Sequence, residues 1–258
     1  MLPAVTYQGQ GHLGVLTLNR PDNRNSMTPE LLDAFALASA EARADPELRC
    51  LIVTGTGNCF SSGADFKATL QRDAGEPHER SYAMYAPFLS LLDLEVPIIA
   101  ALNGHTVGGG FGLALLCDLR VGNRAAKYGA NFVKLGLAPG MAISYTLPRI
   151  VGLSRANELL LTGRLVEGEE ALAIGLLDRA VAATDVMAVA TELATTIAAN
   201  APFAVRATKA AIRRGLALDI RAAARAESVT QAESVVMDDA REGIAALLAK
   251  RAPVFTGR

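Results

Sequence analysis

A chain of 258 residues with 51% apolar and 20% charged residues is long enough to bury a sizeable core, as one large domain or a domain with an appendage, and its balance excludes disorder. Its 25 basic and 26 acidic residues leave a formal net charge of -1, which gives no electrostatic case for wrapping nucleic acid or lying on an anionic membrane. The N-terminal MLPAVTYQGQGHLGV lacks a basic start and a continuous apolar segment, and no run elsewhere reaches bilayer length, so a soluble, cytoplasmic protein without membrane insertion is expected.

Three cysteines, Cys50, Cys59 and Cys117, have no CxxC spacing and are expected to be reduced interior thiols. His12, His78 and His105 show neither HxxxH nor HExxH spacing, so no metal site is expected.

In chain order, Leu13 to Leu18 has strand character and is followed by the polar loop NRPDNRNS. Thr28-Pro29-Glu30 then predicts a helix start, with Thr28 as cap and Pro29 at the first helical position. Leu31, Leu32, Phe35, Leu37 and Ala38 give that helix an apolar face, and Ala44-Asp45-Pro46 stops it. Leu51-Ile52-Val53 is a buried strand by type, so the strand, helix, strand order predicts a parallel crossover. Phe60 to Lys67 is a small-residue loop leading to a helix, with Asp65 a plausible cap. Gln71 to Arg80 is polar enough to predict a mobile surface segment. Tyr82, Tyr85 and Phe88 follow at helical spacing and suit either the core or the roof of a pocket.

The chain is organised around Pro97 to Arg120, PIIAALNGHTVGGGFGLALLCDLR: a strand, an Asn103-Gly104 turn, and a glycine-rich start to an apolar helix. Glycine costs roughly 1 kcal/mol against alanine in a helix. Gly108, Gly109, Gly110 and Gly112 therefore need a reason other than propensity. One reason is close approach to a ligand, because the first turn of a helix presents unpaired N–H groups and the positive end of the dipole. Tight packing is the alternative. Short strand pieces are expected at 118–121 and 127–129, helices at 154–162 and 167–174, and a helical texture after about Asn200. The glycines do not satisfy GxGxxG, because Leu113 holds the last position, and neither GxxxxGK[ST] nor GxSxG occurs.

The segments LNRPDNRNSM, FSSGADFK, PIIAALNGHTVGGGFGLALLCDLRVG, LGLAPG, LPRIVGLSRANELLLTGR, ALAIGLLDRAV and DDAREGIAALLAKRAPVFTGR, in that order and spacing, resemble the crotonase superfamily, the enoyl-CoA hydratase/isomerase family. The resemblance implies an α/β fold with a ββα spiral core over residues 1–200 and a C-terminal helical region, 201–258, that mediates homotrimers, often paired into hexamers. It also implies an acyl-CoA thioester as ligand, with coenzyme A entering as part of the substrate and no separate cofactor. By motif position the backbone N–H groups of Ala64 and Gly109 form an oxyanion hole. Ser62, Asp65, Phe66 and Lys67 fall along the CoA moiety, with Arg24 and Lys250 available for its phosphates or simply solvated.

The chain departs from the family pattern at two positions. The glutamates with which its hydratases activate water and deliver a proton align on Gly112 and Phe132, neither of which transfers a proton. Gly140 falls where some isomerases and a dehalogenase carry an aspartate. Ordinary crotonyl-CoA hydration is therefore expected to be weak or absent. Gly112, Asn131, Phe132 and Gly140 are expected to shape an apolar pocket, with Gly112 opening space beside the thioester and Phe132 stacking on a planar acyl group. Asp65, His78, Glu79, Tyr82, Tyr85 and Asn131 are the candidate replacement acids or bases, while His105 is expected to be packed and hydrogen-bonded. Three functions follow: an acyl-CoA-transforming enzyme using enolate chemistry, a non-catalytic acyl-CoA-binding or scaffolding protein, and an interaction protein whose glycines serve packing alone.

Overall fold

The computed structural model describes residues 3–65 and 76–258. The chain begins with β1 (Val5–Gln10) and β2 (Leu13–Leu18), an antiparallel pair, and crosses through α1 (Pro29–Ala44) to β3 (Cys50–Gly55), which lies parallel to β2. The predicted crossover is present. Thr28 accepts a hydrogen bond from the Leu31 N–H at 3.2 Å, Pro29 opens the helix, and Leu31, Leu32, Phe35, Ala38 and Ala42 form its buried face. Against that face Phe35 meets Phe88 edge-on, with ring centroids 4.6 Å apart. Such a pair contributes about 0.5–1.5 kcal/mol beyond its buried area.

A repeated unit of long strand, short strand and helix follows. Its first copy is β3, β4 (Cys59–Ser61) and α2 (Pro77–Leu89), and its second is β5 (Ile98–Leu102), β6 (His105–Val107) and α3 (Gly109–Leu116). The third is β7 (Leu119–Asn123) and β8 (Lys127–Gly129), followed by a 3-10 turn over Phe132–Leu135 and then α4 (Ile143–Val151). Then come α5 (Leu153–Thr162), β9 (Val166–Glu167), α6 (Gly168–Ala173), β10 (Arg179–Val181) and α7 (Val186–Ala198). The long strands join one sheet in the order β1-β2-β3-β5-β7-β10, and the short strands join a second in the order β4-β6-β8-β9. This is the expected α/β spiral.

Apolar residues run without interruption from Cys50 to Val53 in β3 and through β5 because both faces of the sheet are covered there. Leu51, Val53, Ile98 and Ala100 face the main core, while Cys50, Ile52, Ile99 and Ala101 face α7 through Val186, Ala190 and Ala194. All three cysteines are buried free thiols. The chain ends in α8 (Pro202–Ile212), α9 (Leu216–Val235) and α10 (Asp238–Leu248), of which α9 and α10 place Ile220, Ala224 and Ala240 in the main core. From α8, Lys209 and Arg213 clamp Asp118 at 3.0 and 2.9 Å, and the same carboxylate accepts the Ile98 N–H at 2.8 Å.

Two local expectations need correction. Of the expected mobile surface segment, Pro77 to Arg80 stay exposed or half-buried but are helical, forming the first turn of α2, because Pro77 supplies the fixed φ that a helix start needs. His105 is exposed rather than packed, although its ring does accept the Lys127 N–H at 3.1 Å. No helix among the described residues is long and apolar enough to cross a membrane.

Candidate active site

The site is assembled by one loop holding another. Asn25, fully buried and left-handed at φ 51°, donates through its side-chain amide to the carbonyls of Thr56 and Cys59 at 3.0 and 2.8 Å and accepts the Arg20 N–H at 2.7 Å. Ser61 then donates to the Asn25 carbonyl at 2.8 Å, Ser62 N–H to the Arg24 carbonyl at 3.1 Å, and Met27 N–H to the Gly63 carbonyl at 2.8 Å. The polar loop after β2 is thus stitched to the small-residue loop after β4. Met27 and Ala64 form an isolated parallel bridge. In a bridge whose bond runs from Met27 N–H to the carbonyl before Ala64, the N–H of Ala64 itself points away from Met27.

The second donor comes from α3. Gly108 adopts φ 58° with ψ -125°, a region essentially closed to other residues, and turns the chain from β6 into the helix. The first intrahelical bond runs from Gly112 N–H to the Gly108 carbonyl at 3.0 Å, so the N–H of Gly109, the first helical residue, has no acceptor within the helix. The two loops abut closely. A β-carbon built on Gly63 would lie 3.1 Å from the Gly109 nitrogen and 2.9 Å from the Val107 carbonyl oxygen. Ala64 and Gly109 therefore present backbone donors from adjoining segments, one of them at the positive end of a helix dipole.

The glycines of α3 do not all have the same reason. A side chain at Gly110 would enter Ser61, and one at Gly112 would enter Met141, whose neighbour Ile143 lies 3.4 Å from the same point. Gly110 and Gly112 therefore serve close packing, and the expectation that Gly112 opens space beside a ligand is overturned: the Met141 side chain fills that space. Gly140 is similarly occupied. A side chain there would collide with the Tyr85 hydroxyl and come within 2.8 Å of the Gln231 amide nitrogen, and Tyr85 donates a hydrogen bond to Gln231. Phe132 is buried at the start of its 3-10 turn, behind the half-buried Asn131.

Sequence reasoning did not find the buried carboxylate beside this wall. Glu227, on α9, is 5% exposed; its Oε1 accepts the Ser144 N–H at 2.9 Å and the Ser144 hydroxyl at 2.5 Å, while Oε2 is buried without a hydrogen-bond partner. Burial pushes the Glu227 carboxyl above the usual carboxylate range, although the Ser144 hydroxyl and the backbone N–H groups of Ser144, Ala142 and Ile143 draw it down. Burial, then the Glu227 charge, pushes the Tyr85 phenol well above its ordinary value. In the sequence, Glu227 stands in the Ala-rich, polar run RAAARAESVTQAES and carries no mark of burial.

The other predicted residues are dispersed, and of those described only Arg24 and Asp65 adjoin the donor loops. His78 sits 3.6 Å from Glu79, which also pairs with Arg225 at 3.6 Å, and that guanidinium stacks 4.1 Å over Tyr82; the group lies on the outer side of α2 against α9. Arg24 is exposed, left-handed at φ 58°, and tied by its carbonyl to Ser62; Asp65 is half-buried. Lys250 is exposed just beyond α10. Phe66, Lys67 and the helix that Asp65 was expected to cap lie outside the described residues, as does the 71–75 part of the polar stretch. A recess of about 350 Å³ lined by Asp45, Leu94, Val96 and Arg206 shares none of these residues.

A spiral of ββα units with paired backbone donors at a glycine-turned helix start defines an α/β protein of the crotonase fold. The chain belongs to the enoyl-CoA hydratase/isomerase family, whose model matches residues 8–258. YngF of Bacillus subtilis (strain 168), whose name places it among enoyl-CoA hydratases/isomerases, is 38% identical over 248 residues, 95% of each chain. The (E)-benzylidenesuccinyl-CoA hydratase of Thauera aromatica is 34% identical over 258 residues, 98% of this chain and 99% of its own. Among solved structures, an enoyl-CoA hydratase/isomerase from Pseudoalteromonas atlantica T6c superposes with a TM-score of 0.88 at 30% identity, covering 98% of this chain and all of that one.

Proposed function

We propose that this protein binds an acyl-CoA thioester and stabilises its enolate through the backbone N–H groups of Ala64 and Gly109. The observation that carries this reading is the abutting of the two loops, with the Ala64 N–H turned away from its bridge partner and the Gly109 N–H without an intrahelical acceptor. Donors fixed in advance favour an enolate oxygen over a ground-state carbonyl, and each is worth about 2.7–4 kcal/mol in comparable sites. Such a hole serves lyase and isomerase reactions alike. Arg24, Ser62, Asp65, Phe66, Lys67 and Lys250 are the proposed contacts of the CoA moiety, which enters as substrate with no separate cofactor, and the assembly proposed is a homotrimer or a dimer of trimers.

Gly112 and Phe132 stand where the family's hydratases carry their glutamates, so ordinary crotonyl-CoA hydration is weak or absent. General acid–base groups contribute about 10²- to 10⁴-fold each. The close packing of Met141 on Gly112 supports this reading, because it leaves no room for a side chain there. The same packing favours the alternative, a non-catalytic acyl-CoA-binding or scaffolding protein. Incubation with crotonyl-CoA and a panel of longer, branched and aromatic acyl-CoAs in D₂O, followed by mass spectrometry, separates them. Conversion or deuterium uptake with some thioester other than crotonyl-CoA supports the enzyme. Binding without either signal supports the scaffold, and rapid crotonyl-CoA hydration overturns the reading of Gly112 and Phe132.

A further inference from the structure

Glu227 is the one buried carboxyl whose second oxygen has no partner among the described residues. Its surroundings are otherwise well ordered. From α4 the Ser144 N–H and hydroxyl bind Oε1, from α2 the Tyr85 phenol faces it, and on its own helix Gln231, one turn on, accepts a hydrogen bond from the Tyr85 hydroxyl. The nearest basic group on α9, Arg225, is directed to Glu79 and Tyr82 instead. No cation is thus recorded against the carboxyl among the described residues. The segment it holds is the wall of the site: Met141, three residues before Ser144, covers Gly112, which lies one turn along α3 from the Gly109 donor. Met141 and Ala142 are both left-handed, at φ 65° and 56°, so this wall keeps its shape against local preference and depends on such anchoring.

We propose that Glu227 is the proton-exchanging group of this site, a carboxyl supplied by the C-terminal helix α9 where positions 112 and 132 supply none. The inference rests on the enolate reading above. Met141, an unbranched side chain, swings aside as the acyl group enters, exposing Oε2 to the α-carbon. The carboxylate form takes the α-proton: the C–H bond breaks, the O–H bond forms at Oε2, and the C–H electron pair becomes the enolate, whose oxygen Ala64 and Gly109 hold. Return of the proton, or of a deuteron after exchange with solvent, restores the C–H bond and the carboxylate. A buried carboxyl held above the usual carboxylate range is a stronger proton acceptor than an exposed one and can return the proton it takes.

The test uses the full-length protein and E227Q, whose amide oxygen accepts the same two bonds from Ser144. Acetoacetyl-CoA, which forms an enolate without help from a protein base, is titrated first and its enolate followed by near-ultraviolet absorbance. Enhanced enolate formation in both proteins is expected; its absence in the wild type overturns the oxyanion-hole reading and this inference with it. Deuterium uptake by butyryl-, octanoyl- and phenylacetyl-CoA is then measured across pH 5–9. The wild-type rate is expected to rise with pH to a plateau as Glu227 ionises, and E227Q to lose about 10²- to 10⁴-fold with the pH step abolished. With enolate binding intact, no uptake by the wild type with any of the three, or an E227Q profile matching the wild type, overturns the role of Glu227 alone.

Discussion

Met141 occupies the volume into which any side chain at Gly112 would project. The glycine beside the proposed enolate site and the methionine that covers it are therefore a matched pair. Introducing glutamate at residue 112 alone overpacks this contact and is expected to cost about 1–3 kcal/mol. Adding Met141→Gly removes the obstruction and also relieves a left-handed backbone at φ 65°, so the double variant should recover most of that loss. Urea denaturation of the two variants checks this; equal stability of G112E and wild type would show that the wall yields freely.

Gly109→Pro removes one proposed donor at a position where a helix tolerates proline. Met27, whose sulfur lies against Gly109, must shift, and the flexible end of a methionine can do so. Enolate binding of acetoacetyl-CoA should weaken by about 10²- to 10³-fold, the loss typical of one oxyanion donor. Thermal unfolding of the same variant separates this effect from general damage, since a Tm near the wild-type value assigns the loss to the missing N–H.

The carboxylate of Asp118 joins three partners, Lys209 and Arg213 from α8 and the Ile98 N–H. Lys209 is 10% exposed and its ammonium is disfavoured by burial, so it depends on that carboxylate. Asp118→Ala leaves two cations facing each other and is expected to destabilise by about 3 kcal/mol, with Asp118→Asn losing less because it keeps an acceptor. Denaturant midpoints of the two variants give the comparison.

Glu227 makes a stability prediction independent of catalysis. Its folded pKa is raised, so between the unfolded value, about 4.3, and the folded one the native state binds the extra proton. The Glu227 contribution to stability is therefore greatest in acid, declines as pH rises through that window, and is constant above the folded pKa. Urea titrations of wild type and E227Q at a series of pH values should show this decline in their difference. A difference that stays flat would mean that folding leaves the carboxyl's pKa unshifted, and one that grows with pH that the carboxyl is stabilised in its charged form.

Much of the fold is local and was legible in the sequence. Thr28 and Pro29 set the start of α1, the doubly buried runs Leu51-Ile52-Val53 and Ile98 to Leu102 required a covered parallel sheet, and the glycines after Val107 marked a helix start that propensity alone does not favour. Capping, strand burial and positive φ depend on residues close in the chain, which is why pattern alone sufficed for them. The walls of the site were decided by tertiary structure. Whether a glycine leaves space or makes room for a neighbour depends on what another segment places there, and only the fold brings Met141 onto Gly112 and Tyr85 onto Gly140. The same holds for Glu227, which reaches Ser144 from 83 residues away. A glutamate in an Ala-rich, polar helix has the same local pattern whether it faces water or the interior, and its protonation chemistry is fixed by the burial that the other segments impose.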